Sequence, residues 1–303
     1  MSETFVIPAM GWLPDYPDIR DVTFQSERVP SKLQALGQPS VKQMLAKVGA
    51  TTSAPAALPT SVDLRPWCSP MEDQQTIGSC TAHAGVGLVE YFERRAFGKH
   101  LDASRLFLYK VTRNLLKWTG DTGAFLRSTM YALTLFGVPP EEYYPYNIAD
   151  FDKEPSAFCY AFGQSYQAIS YYRLDPPGTT RSNLLTQIKT YLANGLPSMF
   201  GFTVYSSISQ GNTTGKIPYP TRGERVLGGH AIDAVGYDDN LKIKNTNAGG
   251  IETTGALLIR NSWGTGWGSA GYGWLPYKYV LDGLATDWWS LIKSEWIDTG
   301  QFG

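Results

Sequence analysis

The 303-residue sequence predicts an α+β protein of two units facing each other, helix-rich in the first half and strand-rich in the second. Three observations carry this. One is a long apolar run over residues 80–97 that turns charged and stops at glycine; another is a pair of helically spaced segments before residue 140. The third is a change of period near residue 165, after which short alternating or β-branched and aromatic runs are separated by turns bearing glycine and proline. With 43% hydrophobic and 13% aromatic residues the chain has material for a large core, which excludes a solvated, disordered tail.

In order along the chain, residues 1–57 read as an N-terminal arm, punctuated by Pro8, Pro14, Pro17, Pro30 and Pro39, with one short helix over 41–48. The run TTSAPAALP makes a linker at about 50–59. A helical unit over 58–165 follows. In its helix over 80–97, Ala82, Ala84, Val86, Leu88 and Val89 point to burial, Glu93, Arg94 and Arg95 to the surface, and Gly98 ends it. Further helices are expected over 103–118 and 124–136, the second closed by Gly137. The β-rich unit, 166–303, has expected strands at 166–174, 199–205, 230–237, 256–260 and 271–274. One helix interrupts them at 183–194, with Ser182 as its N-cap and Gly195 beyond its end. A cleft between two such units is a common place for a site.

The charge balance, 26 Lys+Arg against 27 Asp+Glu, leaves no basic excess to neutralise phosphates, so no nucleic-acid partner is expected. No stretch approaches about 18 consecutive apolar residues, so no membrane partner is expected either. The first residues lack a basic start with a long apolar stretch behind it; the expectation is a cytoplasmic protein, or one exported without a signal peptide. Three cysteines, Cys68, Cys80 and Cys159, cannot all pair within the chain. No metal is expected, since C-x-x-C and H-E-x-x-H are absent and there are three histidines in all. The stretch Gly266-Trp267-Gly268-Ser269-Ala270-Gly271 satisfies G-x-G-x-x-G, but Tyr272-Gly273-Trp274-Leu275-Pro276 follows where that motif needs a helix.

Chemistry concentrates at three places. Gln74-Gln75-Thr76-Ile77-Gly78-Ser79-Cys80 leads into the buried helix, and a cysteine in a first helical turn meets unpaired N–H groups and the positive end of the helix dipole. Such a position lowers a thiol pKa and makes a nucleophile; the same cysteine also suits plain core packing. Gly228-Gly229-His230-Ala231 opens an apolar strand with a histidine that could act as base to that thiolate. His83, three residues after Cys80, reads as a helix-packing residue. In Asn261-Ser262-Trp263-Gly264-Thr265-Gly266-Trp267-Gly268, the asparagine could accept a bond from the far ring nitrogen of the histidine, and the indole could shield it.

These three blocks, in this order, resemble the motifs of the papain-like cysteine peptidases, most closely a bacterial branch with Cys-Thr-Ala at the nucleophile. The resemblance extends to Leu58-Pro59-Thr60-Ser61-Val62-Asp63-Leu64-Arg65, similar to the start of a mature enzyme. It takes in Gly120-Asp121-Thr122-Gly123-Ala124-Phe125, where the family has its substrate-lining glycine pair, and Glu141-Glu142-Tyr143-Tyr144-Pro145-Tyr146, similar to its E-x-Y-P-Y turn. It covers roughly 58–290. It implies a helical domain packed on a β-barrel-like one with the cleft between them.

It further implies a peptidase, expected to cut within chains and to act as a monomer on a peptide or protein substrate without a cofactor. Cys80 would be the nucleophile, His230 the base and later the acid, Asn261 the orienter of its ring, and Gln74 the side-chain oxyanion donor. Gly123, Ala124, Gly201, Gly228, Gly229, Ala231 and Trp263 would line the substrate site, with small residues making one subsite roomy and tolerant of apolar groups.

Thr81 and His83 stand where plant members have tryptophan and phenylalanine, and Ile77 replaces a cysteine, so a disulfide framework is not inherited. The gap from Cys80 to Asn261, 261 − 80 = 181, exceeds the roughly 130–150 residues of the family and points to an inserted turn or hairpin at about 238–255. The arm is expected to run through or beside the cleft, anchored by Trp12, Leu13, Tyr16 and Ile19, as an inhibitory segment; docking for stability alone is the other reading. Against a peptidase stand a transpeptidase-like Cys-His acyltransferase, a catalytically idle binding module and a structural protein with Cys80 merely buried.

Overall fold

A central helix, α3 (Cys80–Phe97), is buried on every side over its first thirteen residues, from Cys80 to Phe92. It lies between helices on one flank and a sheet on the other. The computed structural model describes residues 9–50, 57–164 and 169–302. Before α3 come α1 (Ser31–Ala35), α2 (Val41–Lys47) and the short strand β1 (Ser61–Asp63). After it come α4 (Arg105–Leu116), α5 (Leu126–Phe136) and α6 (Ala157–Gly163). Gly85 lets α3 close on α4 and α5, since a side chain there would press on Leu108, Thr129 and Leu133.

The second half builds the sheet: β2 (Ser170–Arg173), α7 (Arg181–Ala193), β3 (Ser198–Tyr205), β4 (Val226–Lys244), β5 (Glu252–Arg260), β6 (Tyr272–Pro276), α8 (Tyr277–Leu281), β7 (Ala285–Ile292) and α9 (Ser294–Ile297). The strand order is β2-β7-β3-β4-β5-β6, antiparallel throughout, with β1 also paired to β4. Among the described residues the sheet is open, with β2 and β6 as its two ends, so the expected barrel-like domain is an open antiparallel sheet rather than a closed barrel. The α+β class stands.

The helices of the sequence reading are found within two residues of their expected ends, with one altered cap. At α7, Thr180 is the N-cap and accepts from the Asn183 amide, so the helix starts earlier than an N-cap at Ser182 allows. The extra residues before Asn261 are a β4–β5 hairpin, paired out to Lys244 and Glu252. β7 went unread because seven of its eight residues are buried; ATDWWSLI carries no alternation when both faces lie in the core. Residues 51–56 of the expected linker and 166–168 of the first expected strand lie outside the described residues. All three cysteines are free thiols, so Cys68 and Cys159 do not pair.

The arm is built into the molecule at two places. Val41, Met44 and Leu45 of α2 belong to the main hydrophobic core, and Ser40 caps that helix with a capping box formed with Gln43. Farther toward the N-terminus, residues 9–13 run beside the start of α3.

Candidate active site

Ser79 occupies the N-cap of α3 but makes no capping bond; its hydroxyl pairs with the Tyr146 hydroxyl at 2.6 Å. The first amides of α3 are therefore left for the Cys80 sulfur, toward which the N–H groups of Cys80, Thr81, Ala231 and Gly11 all point. Cys80 is fully buried, and burial pushes its thiol up to about 11 despite those donors. The expected lowering by the helix N-terminus is present and is outweighed, because removing a thiolate from water costs more than a few amide dipoles return.

Ala231 is the chain neighbour of His230 on β4, so the strand that donates to the sulfur also carries the imidazole. His230 Nε2 lies 2.7 Å from Asn261 Oδ1. The Ser262 amide donates to that same oxygen at 2.8 Å, which identifies it as an acceptor and makes Nε2 the protonated nitrogen. The lone pair of Nδ1, buried and without a hydrogen-bond partner, is left for a proton. Trp263 stacks on the ring at 4.6 Å between centroids, inclined by 26°. Burial holds His230 down to about 4, with the Asn261 bond acting in the opposite sense. His83 is a packing residue: Nδ1 faces the Ser79 carbonyl at 3.1 Å and the ring meets Tyr146 edge-on.

Gln74 is held from several sides. Its amide N–H donates to the Ser262 carbonyl at 2.8 Å, and Ser262 Oγ donates to its Oε1 at 2.7 Å. Nε2 is thereby turned to donate, at 2.9 Å to the Ile77 carbonyl and at 2.7 Å to the carbonyl of Ala9 in the arm. Gly78 donates its amide to Asp121 Oδ1 at 2.8 Å, which also receives the Tyr109 hydroxyl at 2.6 Å. Tyr109 in turn accepts from the Gly123 amide at 3.0 Å, so the nucleophile loop and the Gly123 turn share one support.

The remaining expected lining residues gather around the arm. Ala124 donates its amide to the Gly11 carbonyl at 2.8 Å and accepts from the Leu13 amide at 3.1 Å, while Trp12 donates to the Gly229 carbonyl at 3.1 Å. A Cβ at Gly201 or Gly229 would overlap the Trp12 indole, one at Gly228 would press on Met10, and one at Gly123 would overlap the Gly11 backbone. Trp12 is buried, as expected of an anchor, and Leu13 is half-buried. Tyr16 and Ile19 are not anchors: they are 88% and 98% exposed, because the chain turns back at Asp18–Asp21 and tips them into solvent. Asp15 and Asp21 take that role, both paired with Arg127, whose Nε reaches Asp21 Oδ1 at 2.7 Å. Sequence reasoning missed these, together with Tyr146, Ser262 and Asp287, whose buried carboxylate accepts from the Trp12 indole N–H at 3.1 Å. Ser262, adjacent to Asn261, was in view; nothing in the local pattern marks Asp287.

A cysteine at a helix mouth, a histidine oriented by asparagine, and a glutamine amide turned toward the same cleft are the parts of a cysteine peptidase site. The family described as papain family cysteine protease matches residues 58–282. An uncharacterized peptidase C1-like protein of Acanthamoeba polyphaga mimivirus is 32% identical over 95% of this chain and 88% of its own. A cathepsin B-like protein of Giardia intestinalis is 28% identical over 80% of this chain and 81% of its own. Among solved structures, xylellain, a cysteine protease from Xylella fastidiosa, superposes with a TM-score of 0.72 at 31% identity, covering 94% of this chain and 96% of that one. The chain belongs to the papain family of cysteine proteases, and it is a cysteine peptidase.

Proposed function

We propose that the enzyme cleaves peptide bonds through Cys80 and His230, and that residues 9–13 of its own chain hold the site closed. In the reaction His230 Nδ1 takes the Cys80 proton as the sulfur adds to the carbonyl carbon of the scissile bond. The resulting oxyanion receives Gln74 Nε2 and the Cys80 amide. Collapse breaks the C–N bond, and the imidazolium proton goes to the leaving amine. Water then resolves the thioester, losing its proton to Nδ1 and restoring the thiol. Asn261 keeps the ring in the required tautomer throughout.

One observation carries the closed state: the Ala9 carbonyl occupies Gln74 Nε2 while the Gly11 N–H points at the sulfur. The nucleophile thus meets a donor rather than a carbonyl carbon, and the amide that would receive an oxyanion is already engaged. The protonation states agree with an idle site, since Cys80 is raised and His230 lowered, both by burial. Stabilising the fold and covering the site divide along the arm, α2 serving the core and residues 9–13 the cleft. Removal of all residues before Leu58 therefore tests two things at once, because it also strips Met44 and Leu45 from the core.

The test is labelling of the full-length Trp12→Ala chain, in which the cover is loosened, with a thiol-directed epoxide, alongside hydrolysis of a fluorogenic peptide. Preferential modification of Cys80 over Cys68 and Cys159, with that preference lost in His230→Ala, is expected, as is hydrolysis without transfer of the acyl group to an added amine. Equal reactivity of the three thiols in a chain with Trp12→Ala would overturn the assignment.

A further inference from the structure

The loop that leads into Cys80 has no disulfide to hold it, since all three cysteines are free thiols. A carboxylate takes that place. Asp121 Oδ1 accepts the Gly78 amide at 2.8 Å and the Tyr109 hydroxyl at 2.6 Å, and that hydroxyl accepts the Gly123 amide at 3.0 Å. A Cβ at Gly78 would lie 3.3 Å from Asp121 Oδ1 and 3.5 Å from the Gly123 nitrogen, so loop and turn meet almost backbone to backbone.

The Gly78 amide belongs to the same peptide group as the Ile77 carbonyl. That group is planar and trans, so its N–H and C=O point in opposite directions and cannot be aimed separately. The Ile77 carbonyl in turn accepts Gln74 Nε2 at 2.9 Å. A hold on one side of the peptide is thereby a hold on the oxyanion donor at the other. The bond from Asp121 is charge-assisted, the stronger kind, and its second donor is steady. Tyr109 is buried in α4, its ring lies under the Arg113 guanidinium at 4.1 Å, and Arg113 also donates to the Gly120 carbonyl at 2.5 Å. Burial, with Asp121 acting in the same sense, holds the Tyr109 hydroxyl well above the usual tyrosine range, so it stays protonated and donating.

On the reading that Gln74 is the oxyanion donor of a peptidase, we propose that Asp121 is a positioning residue for the reaction. Through the peptide joining Ile77 and Gly78 it aims Gln74 Nε2, and through Tyr109 it sets the Gly123–Ala124 backbone against which a substrate peptide would lie. One carboxylate oxygen thus aligns the group that stabilises charge with the edge that holds the chain being cut.

The experiment uses the full chain with Trp12→Ala throughout, and reads hydrolysis of a fluorogenic peptide beside alkylation of Cys80 by iodoacetamide. Alkylation needs the thiolate and no oxyanion donor. Asp121→Ala is expected to lower kcat by about tenfold to a hundredfold, the scale of a small misplacement at a reacting centre. The rate and pH dependence of alkylation should stay within about twofold, since the thiol and imidazole are untouched. Asp121→Asn, which keeps an oxygen acceptor, is expected to recover most of the loss. Tyr109→Phe leaves Asp121 on the Gly78 amide and is expected to raise KM with kcat within about twofold. In a Gln74→Ala background Asp121→Ala should lower kcat by less than about threefold, because the group it acts through is gone. Losses that simply multiply in that background, or alkylation that falls in step with kcat, overturn the proposal and leave the peptidase reading standing. Where Asp121→Ala does not fold, Tyr109→Phe decides, and an unchanged KM overturns the proposal. Absence of any hydrolysis in the Trp12→Ala parent, with Cys80 no more reactive than Cys68 and Cys159, overturns both.

Discussion

Trp12→Ala in the full chain separates the cover from the catalytic groups, since Trp12 touches neither Cys80 nor His230 in the proposed chemistry. The indole is 6% exposed, lies against Gly201 and Gly229, and bonds Asp287. Truncating a buried tryptophan costs about 3–5 kcal/mol, and partial refilling of the pocket by water favours the lower end. A loss of about 3 kcal/mol shifts the closed-to-open equilibrium by roughly 10², at 1.4 kcal/mol per tenfold. Because the arm is covalently attached, that factor appears directly in the rate at which an epoxide modifies Cys80, as long as opening is fast relative to modification. The full wild-type chain is expected to be labelled slowly, and the variant about a hundredfold faster. A wild-type chain labelled as fast as the variant, within twofold, would refute the reasoning, because the sulfur would then be open whatever Trp12 does.

Gln74→Ala is expected to lower kcat by about 10²–10³, measured in the Trp12→Ala background, as for removal of one oxyanion donor. Met44→Ala is expected to lower unfolding free energy by about 2–5 kcal/mol in chemical denaturation while leaving kcat unchanged, since α2 meets the core and not the cleft. His83 is lowered to about 3, chiefly by burial, with the charge of Arg105 acting in the same sense. Its folded value lies below the unfolded one of about 6.5, so the unfolded chain binds the proton first and stability falls with acid. Relative to His83→Gln, the wild-type chain should lose unfolding free energy as pH drops from about 6.5 toward 3, with the difference constant above pH 7.

The catalytic residues were legible because their types are rare and their neighbours are informative: three histidines in the chain, one of them behind paired glycines, and an asparagine followed by Ser-Trp-Gly. The central helix was legible for a different reason, its unbroken apolar start. What could not be read was set by contacts distant in sequence. Asp287 reaches the cleft through a bulge opposite β3, within a strand whose two buried faces hide its period. Tyr16 and Ile19 looked like anchors by composition, yet a turn closed by the Asp21 amide on the Asp18 carbonyl at 2.9 Å faces them outward and leaves the anchoring to aspartates. Composition reports what a side chain would prefer to bury; it does not report which side of a turn it occupies.

The thiol at the helix mouth exposes the same limit in energetic form. The N–H groups of Cys80, Thr81, Ala231 and Gly11 favour a thiolate; burial favours the thiol, and burial prevails. The opposing contributions have different owners. The amides of Cys80 and Thr81 on α3 and of Ala231 on β4 stay; the Gly11 amide and part of the enclosure belong to the arm and can leave. Departure of residues 9–13 would then return water to the sulfur and the ring together, relaxing Cys80 downward and His230 upward without moving any catalytic group. One displacement thereby vacates Gln74 Nε2, opens the Asp287 pocket and restores the conditions for a thiolate-imidazolium pair. A closed and an open protein with superposable catalytic side chains but different thiol titrations, followed by the pH dependence of Cys80 labelling in the wild-type chain and in Trp12→Ala, is what this coupling requires; identical titrations in the two would break it.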